Sequence, residues 1–192
     1  AGFFFTGNFY RNKKFQPFVK ALQRNGHYLG PHSDKHLLYN DWSNRDSLLV
    51  TKQVFHSDLE ANLASMQHLG IKKESVKYFI PPYEWWNDSI AVWSKDTGLQ
   101  LINFTAGIGT NADYTYPSMK SKYKSSAAIL ASVKEKFKQQ PASFNGAIIL
   151  IHAGTDPARK DKLYNQLESF IRVFKSNGYA FKSVEQIFST AH

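Results

Sequence analysis

The chain has 192 residues, 24 Lys and Arg against 15 Asp and Glu for a formal net charge of +9, seven His, no Cys and 42% apolar residues. That is the size of one ordinary domain able to bury most of its apolar surface. The lack of Cys excludes a disulfide framework, a thiolate metal site and a cysteine nucleophile. Any metal must be held by His, Asp or Glu, and no apolar run approaches the roughly 18 residues of a membrane span.

In chain order, AGFFFTG reads as a strand over 2–6, too short and too quickly polar for a secretory signal. With no initiator Met before it, the strand suggests a chain that starts inside a fold. Apolar residues at spacings of three and four then predict a helix over 12–25, carrying Phe15, Phe18, Val19 and Leu22 and ending at Gly26 in a left-handed exit. The same unit recurs over 51–69 before Gly70, over 87–97 before Gly98 and over 160–177 before Gly178. Further strands are expected at 27–29, 77–80, 99–104, 147–151 and 179–182. Such alternation implies parallel strands joined by helical crossovers, in a barrel or an open doubly wound sheet. The apolar run AIILI at 147–151 fits a strand buried on both faces. No linker or low-complexity tract interrupts the pattern, so 1–192 reads as one domain.

The basic balance invites nucleic acid, because clustered Lys and Arg release counterions from phosphate. Here the cations are scattered, as in Lys13/Lys14, Lys72/Lys73, Lys120/Lys122/Lys124 and Lys134/Lys136/Lys138, with no nucleic-acid-binding motif beside them. A solvated surface, attracted weakly to anionic polymers, accounts for them.

Thr6, His32, the segment 81–84, Thr105 and His152 all fall just past expected strand ends, the edge where parallel α/β folds assemble their sites. His32 and His36 form H-x-x-x-H; on a helical turn they share a face and can bind one metal ion, although seven His make a chance pair at this spacing common. No Glu follows His32, so the zinc-protease pattern does not apply. His152, at the mouth of the 147–151 strand, suits a general acid or base or a structural His. Asp113 could orient it, or could serve only the NADYTYP turn. In FIPPYEWWN, two prolines stiffen a loop in which Trp85 and Trp86 either stack on sugars or cap the core. Nucleotide-binding, dinucleotide and serine-hydrolase signatures are missing.

In this order the pieces resemble the polysaccharide deacetylases, the NodB-like carbohydrate esterases. His32-Ser33-Asp34-Lys35-His36 is similar to that family's H-[ST]-x-x-H motif, with GHYLGP as its lead-in. AGFFFTGNFY resembles the strand that follows the family's first motif, and Pro81-Pro82-Tyr83 the end of the third. Asn111 to Tyr114 match the fourth motif loosely, Leu150-Ile151-His152 match the fifth, and GYAFKSVEQI resembles the final strand and helix. The resemblance covers essentially the whole chain.

It implies a distorted (β/α) barrel with its site at the C-terminal ends of the strands, and metal-assisted removal of N- or O-linked acetyl groups from an acetylated polysaccharide. By that resemblance His32 and His36 are ligands of a divalent ion, usually zinc. The backbone N–H of Tyr83 faces the oxyanion, and His152 protonates the leaving group with Asp113 tuning it. Pro82, Trp85 and Trp86 contact the sugar. Two departures stand out. The family's Asp-Asp motif, which supplies base and third ligand, precedes the first residue here, and the Arg that opens the third motif is replaced by Ile80. Three explanations follow: a first strand and helix missing from the sequence; substitution by Glu84 as base and Asp34 as ligand; or a catalytically silent relative that keeps a glycan-binding cleft. No specific nucleic acid or membrane span is expected, and the family favours a secreted or cell-envelope location.

Overall fold

The computed structural model describes residues 1–189. The chain divides into two compact units, 1–103 with the segment from Lys182 onward, and 104–181.

In the first unit, β1 (Gly2–Phe5) and β2 (Tyr28–Pro31) pair in parallel, from Gly2 opposite Tyr28 to Phe5 opposite Pro31. The crossover holds α1 (Gly7–Arg11), whose N-terminus is capped by the Thr6 hydroxyl accepting from the Phe9 N–H, and α2 (Gln16–Arg24). The helix expected over 12–25 therefore starts later, with Pro17 in its first turn, where a missing N–H costs nothing. Gly30 lets the strands close: a Cβ there would stand 2.5 Å from the Phe4 ring.

A 16-residue helix, α3 (Lys52–Gln67), follows the Thr51 cap. It buries Phe55, Leu59, Leu63 and Met66 against Phe5, Leu29 and Phe79 in one core cluster. Each such side chain is worth about 1.5–3 kcal/mol, so packing rather than helix propensity holds the element. Then β3 (Tyr78–Phe79), α4 (Asp88–Asp96, capped by Asn87) and β4 (Gln100–Leu101) repeat the parallel unit, Tyr78 opposite Gln100. From the far end of the chain α7 (Val184–Ser189) returns, with the Phe188 ring 5.0 Å from Tyr78.

The second unit holds α5 (Ser126–Gln139, capped by Ser125) and α6 (Leu167–Ser176) around Ile108, Ile129, Val133, Phe137, Phe144, Phe170 and Phe174. The sequence pattern predicts no helix at α5. Its expected helix over 160–177 opens as a 3-10 turn at Leu163–Gln166 and becomes α-helical only from Leu167. The four expected glycine exits all lie at positive φ, 70° at Gly26 and 81–82° at Gly70, Gly98 and Gly178.

Three expectations are corrected. Residues 147–151 and 179–182 form no strand among the described residues. Between 147–151 and the 104–105 segment a main-chain bond runs from the Thr105 N–H to the Ile148 carbonyl at 2.9 Å, while the Thr105 hydroxyl takes the Ile148 N–H at 2.9 Å. A side chain thus occupies the ladder position. Ala147, Ile149 and Ile151 still pack on the core at a period of two. Consequently the described residues show two separate two-stranded parallel sheets rather than a closed barrel. Of the residues expected at strand ends, Thr6 and His32 directly follow β1 and β2 and Pro81 nearly follows β3, whereas Thr105 lies four residues beyond β4 and His152 follows no strand.

Candidate active site

In the first unit two loops carry the candidate residues, one after β2 and one after β3. The 32–36 segment is not helical, contrary to the helical-turn reading; instead Ser33 and His36 adopt positive φ of 68° and 59°. That reversal brings the His32 and His36 rings to 5.0 Å between centroids, and places His36 4.4 Å from the Tyr83 ring. His32 is held on both sides. Its backbone N–H donates to Asn62 Oδ1 at 2.9 Å, and its Nδ1 lies 2.8 Å from the Ile80 carbonyl. A carbonyl only accepts, so Nδ1 carries the proton and Nε2 the lone pair, the form in which imidazole binds a metal.

Asp58 of α3 clamps the loop: its buried carboxylate accepts from the Ser33 hydroxyl (2.5 Å) and from the N–H groups of Asp34 (2.9 Å) and Lys35 (3.1 Å). Asp34 is drawn to α1. Its carboxylate is paired in a fork with Arg11, Nη2 to Oδ2 at 3.0 Å, and Arg11 also donates to Ser65 at 2.7 Å. That bond to Asp34 pushes the Arg11 pKa further up. The carboxylate lies over Gly7, where any Cβ would strike it. Asp34 thus serves the loop's framework, which removes support for it as a metal ligand.

The second loop turns sharply: Tyr83 and Glu84 both have positive φ, 60° and 53°. Asn103 holds the turn by donating to the Glu84 carbonyl at 2.9 Å. Pro82 is buried and Tyr83 exposed. The two tryptophans that follow part company. Trp86 packs against the core. Trp85 donates to the Asp41 carbonyl at 3.2 Å, lies 5.6 Å from the Trp42 ring, and carries the Arg45 guanidinium 3.8 Å above its own.

The second unit places His152 and Asp113 together. Asp113, 1% exposed in a 3-10 turn at Thr110–Tyr114, accepts from the His152 backbone N–H at 2.8 Å and faces its Nδ1 at 2.6 Å. One carboxylate therefore fixes both the main chain and the ring. Arg159, fully buried, ties down the segment that follows Asp113: it donates to the carbonyls of Thr115 (2.6 Å) and Lys124 (2.9 Å) and to Ser126 Oγ (3.0 Å).

Among the described residues no group of three or more His, Cys, Asp or Glu gathers, so His32 and His36 stand as a two-donor set. Their imidazoles suit a borderline ion such as zinc. Sequence reasoning missed Asp58, Asn62, Arg159, Trp42 and Arg45. For the first two a signal existed: with Ser65 they form a polar stripe at i, i+4 and i+7 inside the apolar face of the 51–69 helix.

Comparison with known proteins supplies a context. The family model for polysaccharide deacetylases matches residues 1–102. A search of curated proteins finds no match. Among solved structures the chain is similar to a CE4-family pseudoenzyme from Bacillus anthracis, with TM-score 0.65, 18% identity, and coverage of 97% of this chain and 54% of that one. It is also similar to a peptidoglycan N-acetylglucosamine deacetylase, with TM-score 0.71, 19% identity, and 97% and 74% coverage. A family 4 acetyl xylan esterase from Clostridium thermocellum, bound to cobalt, gives TM-score 0.66, 18% identity, and 99% and 77% coverage. The chain thus spans about half the length of the first of these, and the likeness establishes a deacetylase-type fold of mixed helices and strands.

Proposed function

Since the chain belongs to the polysaccharide deacetylase family, we propose that it removes acetyl groups from a carbohydrate polymer with the help of a divalent ion, zinc by donor chemistry, held by His32 and His36. The observation that carries this reading is the His32 ring, fixed by the Ile80 carbonyl in its metal-binding tautomer with the His36 ring beside it. When bound, such an ion supplies Lewis-acid polarisation of the acetyl group and acidifies water.

The rest is work for side chains and backbone. The Tyr83 N–H is assigned to the oxyanion, where a fixed donor counts most because it needs no reorganisation as charge develops. His152, steadied by Asp113, delivers a proton from Nε2 to the departing amine or alcohol. Glu84, beside Tyr83, is the candidate for taking the proton of the attacking water. Pro82 shapes the loop and Trp85 meets the sugar. Trp86 supports them from the core, which modifies its expected role as a direct contact. An acetylated glycan of the cell envelope or exterior fits this chemistry. No helix among the described residues is long and apolar enough to cross a membrane.

A second reading, a glycan-binding domain without turnover, is favoured by one observation, the two-donor rather than three-donor set. Calorimetric zinc titration of the chain and of His32→Ala, together with acetate release from acetylated oligosaccharides, separates them. The proposal expects one zinc site lost in His32→Ala, and acetate release abolished by a chelator and by His152→Ala. Sugar binding without zinc binding or acetate release would establish the second reading instead.

A further inference from the structure

Beside the His pair lie Trp42 and Arg45, to which the proposed chemistry gives no role. Trp42 is 57% exposed, with its ring 5.4 Å from Tyr83 and 5.6 Å from Trp85. With Tyr83 and Trp85 it forms a contiguous aromatic patch rather than a single exposed side chain, and contiguous exposed patches mark binding surfaces. The loop that presents it is pinned at several points. Asp41 N–H donates to Ser47 O at 2.9 Å and Leu49 N–H to Tyr39 O at 2.8 Å. Two buried asparagines, Asn40 and Asn87, both donate to the Arg45 carbonyl, at 3.0 and 3.1 Å. Trp85 Nε1–H bonds the Asp41 carbonyl. The Asp41 carboxylate is spent on the turn itself, accepting from Ser43 and Asn44.

Arg45 stands at the edge of this aromatic group, its guanidinium over Trp85. No carboxylate among the described residues forms an ion pair with it, although Asp41 and Asp46 are close in sequence. A rigid aromatic face beside an arginine without an internal counter-charge matches one kind of partner: an amphipathic ring bearing an anion. A pyranose offers C–H groups to an indole face, and a carboxylate suits the guanidinium fork.

We infer that Trp42 and Arg45 form a subsite for a carboxylate-bearing sugar residue of the glycan, Trp42 stacking on the ring and Arg45 pairing with the carboxylate. The inference rests on the proposed function and refines it. Through Tyr83, whose ring touches both Trp42 and His36, the subsite lies two ring-to-ring steps from the metal-binding pair. It therefore selects acidic glycans by the neighbour of the sugar being deacetylated. Because the loop is already ordered, little conformational entropy is lost on binding.

The test is calorimetry without added metal, using an N-acetylated oligosaccharide with carboxylates on alternate sugars and the same oligosaccharide with those carboxylates reduced to alcohols. The chain should bind the acidic form on the order of tenfold more tightly. Arg45→Gln should erase that preference while keeping affinity for the reduced form. Trp42→Ala should weaken both by roughly tenfold or more, and Trp42→Phe by less. Equal affinity for the two sugars, or wild-type binding by Trp42→Ala with unchanged circular dichroism, overturns the inference. Zinc binding without sugar binding also overturns it and leaves the deacetylase reading standing. Sugar binding with this pattern but without zinc binding sustains the subsite and removes the metal-dependent reading.

Discussion

Replacing Asp58 by Asn removes one oxygen and the charge from a buried group that accepts three hydrogen bonds, from Ser33, Asp34 and Lys35. Bonds to a charged group are worth about 1.5–3 kcal/mol each and neutral ones about 0.5–1.5. Losing one and weakening two sums to about 3.5–6 kcal/mol, and with partial rescue by water to about 2–3 kcal/mol, for Asp58→Asn. Asp58→Ala leaves all three donors without their partner, and with partial rescue by water costs about 3–5 kcal/mol. The second effect falls on the site. Positive φ at Ser33 and His36 stores about 1–3 kcal/mol per residue, which the clamp offsets. Once it is gone, the loop relaxes and His36 leaves His32, so zinc affinity should fall by about 10–100-fold, as for other supporting partners of ligands. Urea unfolding followed by circular dichroism reads the first effect and zinc calorimetry the second. Lower stability with unchanged zinc affinity would show that Asp58 holds the fold but does not position the pair. No change in either would refute the reasoning altogether.

Three further outcomes are expected. Asp113→Asn should abolish acetate release while leaving zinc binding intact, because its bonds lie on His152; NMR of the His152 ring nitrogens should report a changed tautomer, and an unchanged tautomer with full activity would count against the assignment. Arg159→Met should lower stability by about 3 kcal/mol, since buried acceptors at Thr115, Lys124 and Ser126 lose their donor; Arg159→Lys should recover little, and a wild-type urea midpoint for both would refute this. Alkali should destabilise the chain. Burial pushes the Tyr28 hydroxyl up to about 12 and holds Tyr10 and Tyr39 un-ionised as well, so stability complete below pH 10, where unfolded tyrosine ionises, is lost as pH climbs toward 12. Tyr28 alone accounts for on the order of 2–3 kcal/mol, and urea midpoints level from pH 9 to 11.5 would contradict it.

The first half of the fold was legible because its units obey local rules. Thr51 and Asn87 cap helices whose apolar spacing is plain, and glycine at 26, 70 and 98 marks each exit. Residues 147–151 look like a strand because alternation toward a core is what they have; whether a ladder forms depends on a partner, and Thr105 puts its hydroxyl where a carbonyl would bond. The α5 helix escaped because its glycine lies seven residues beyond it, after a Pro-initiated turn at Pro141–Phe144. At the site, the spacing of His32 and His36 was legible but not its geometry. Four residues apart suggested a helical face, whereas the rings meet through two left-handed residues, and left-handed Ser and His leave no sequence signature.

Three polar residues on the buried face of α3 explain why that unusual loop is stable. Asp58 binds its backbone, Asn62 the N–H of His32, and Ser65 the arginine that holds Asp34. A helix kept only for stability would carry apolar residues there, and Asn62 shows the difference. Its Nδ2 is buried without a hydrogen-bond partner among the described residues, while the His32 N–H that its Oδ1 accepts also reaches the Phe5 carbonyl at 3.2 Å. Asn62→Leu, close in volume, removes an unsatisfied donor and leaves the His32 N–H one partner. Its stability should therefore stay within about 1 kcal/mol of wild type or rise, while zinc affinity falls because His32 is no longer held from both sides. A stabilised variant that binds zinc more weakly would identify Asn62 as kept for the site. Destabilisation by several kcal/mol with unaltered zinc binding would instead make it a residue of the fold.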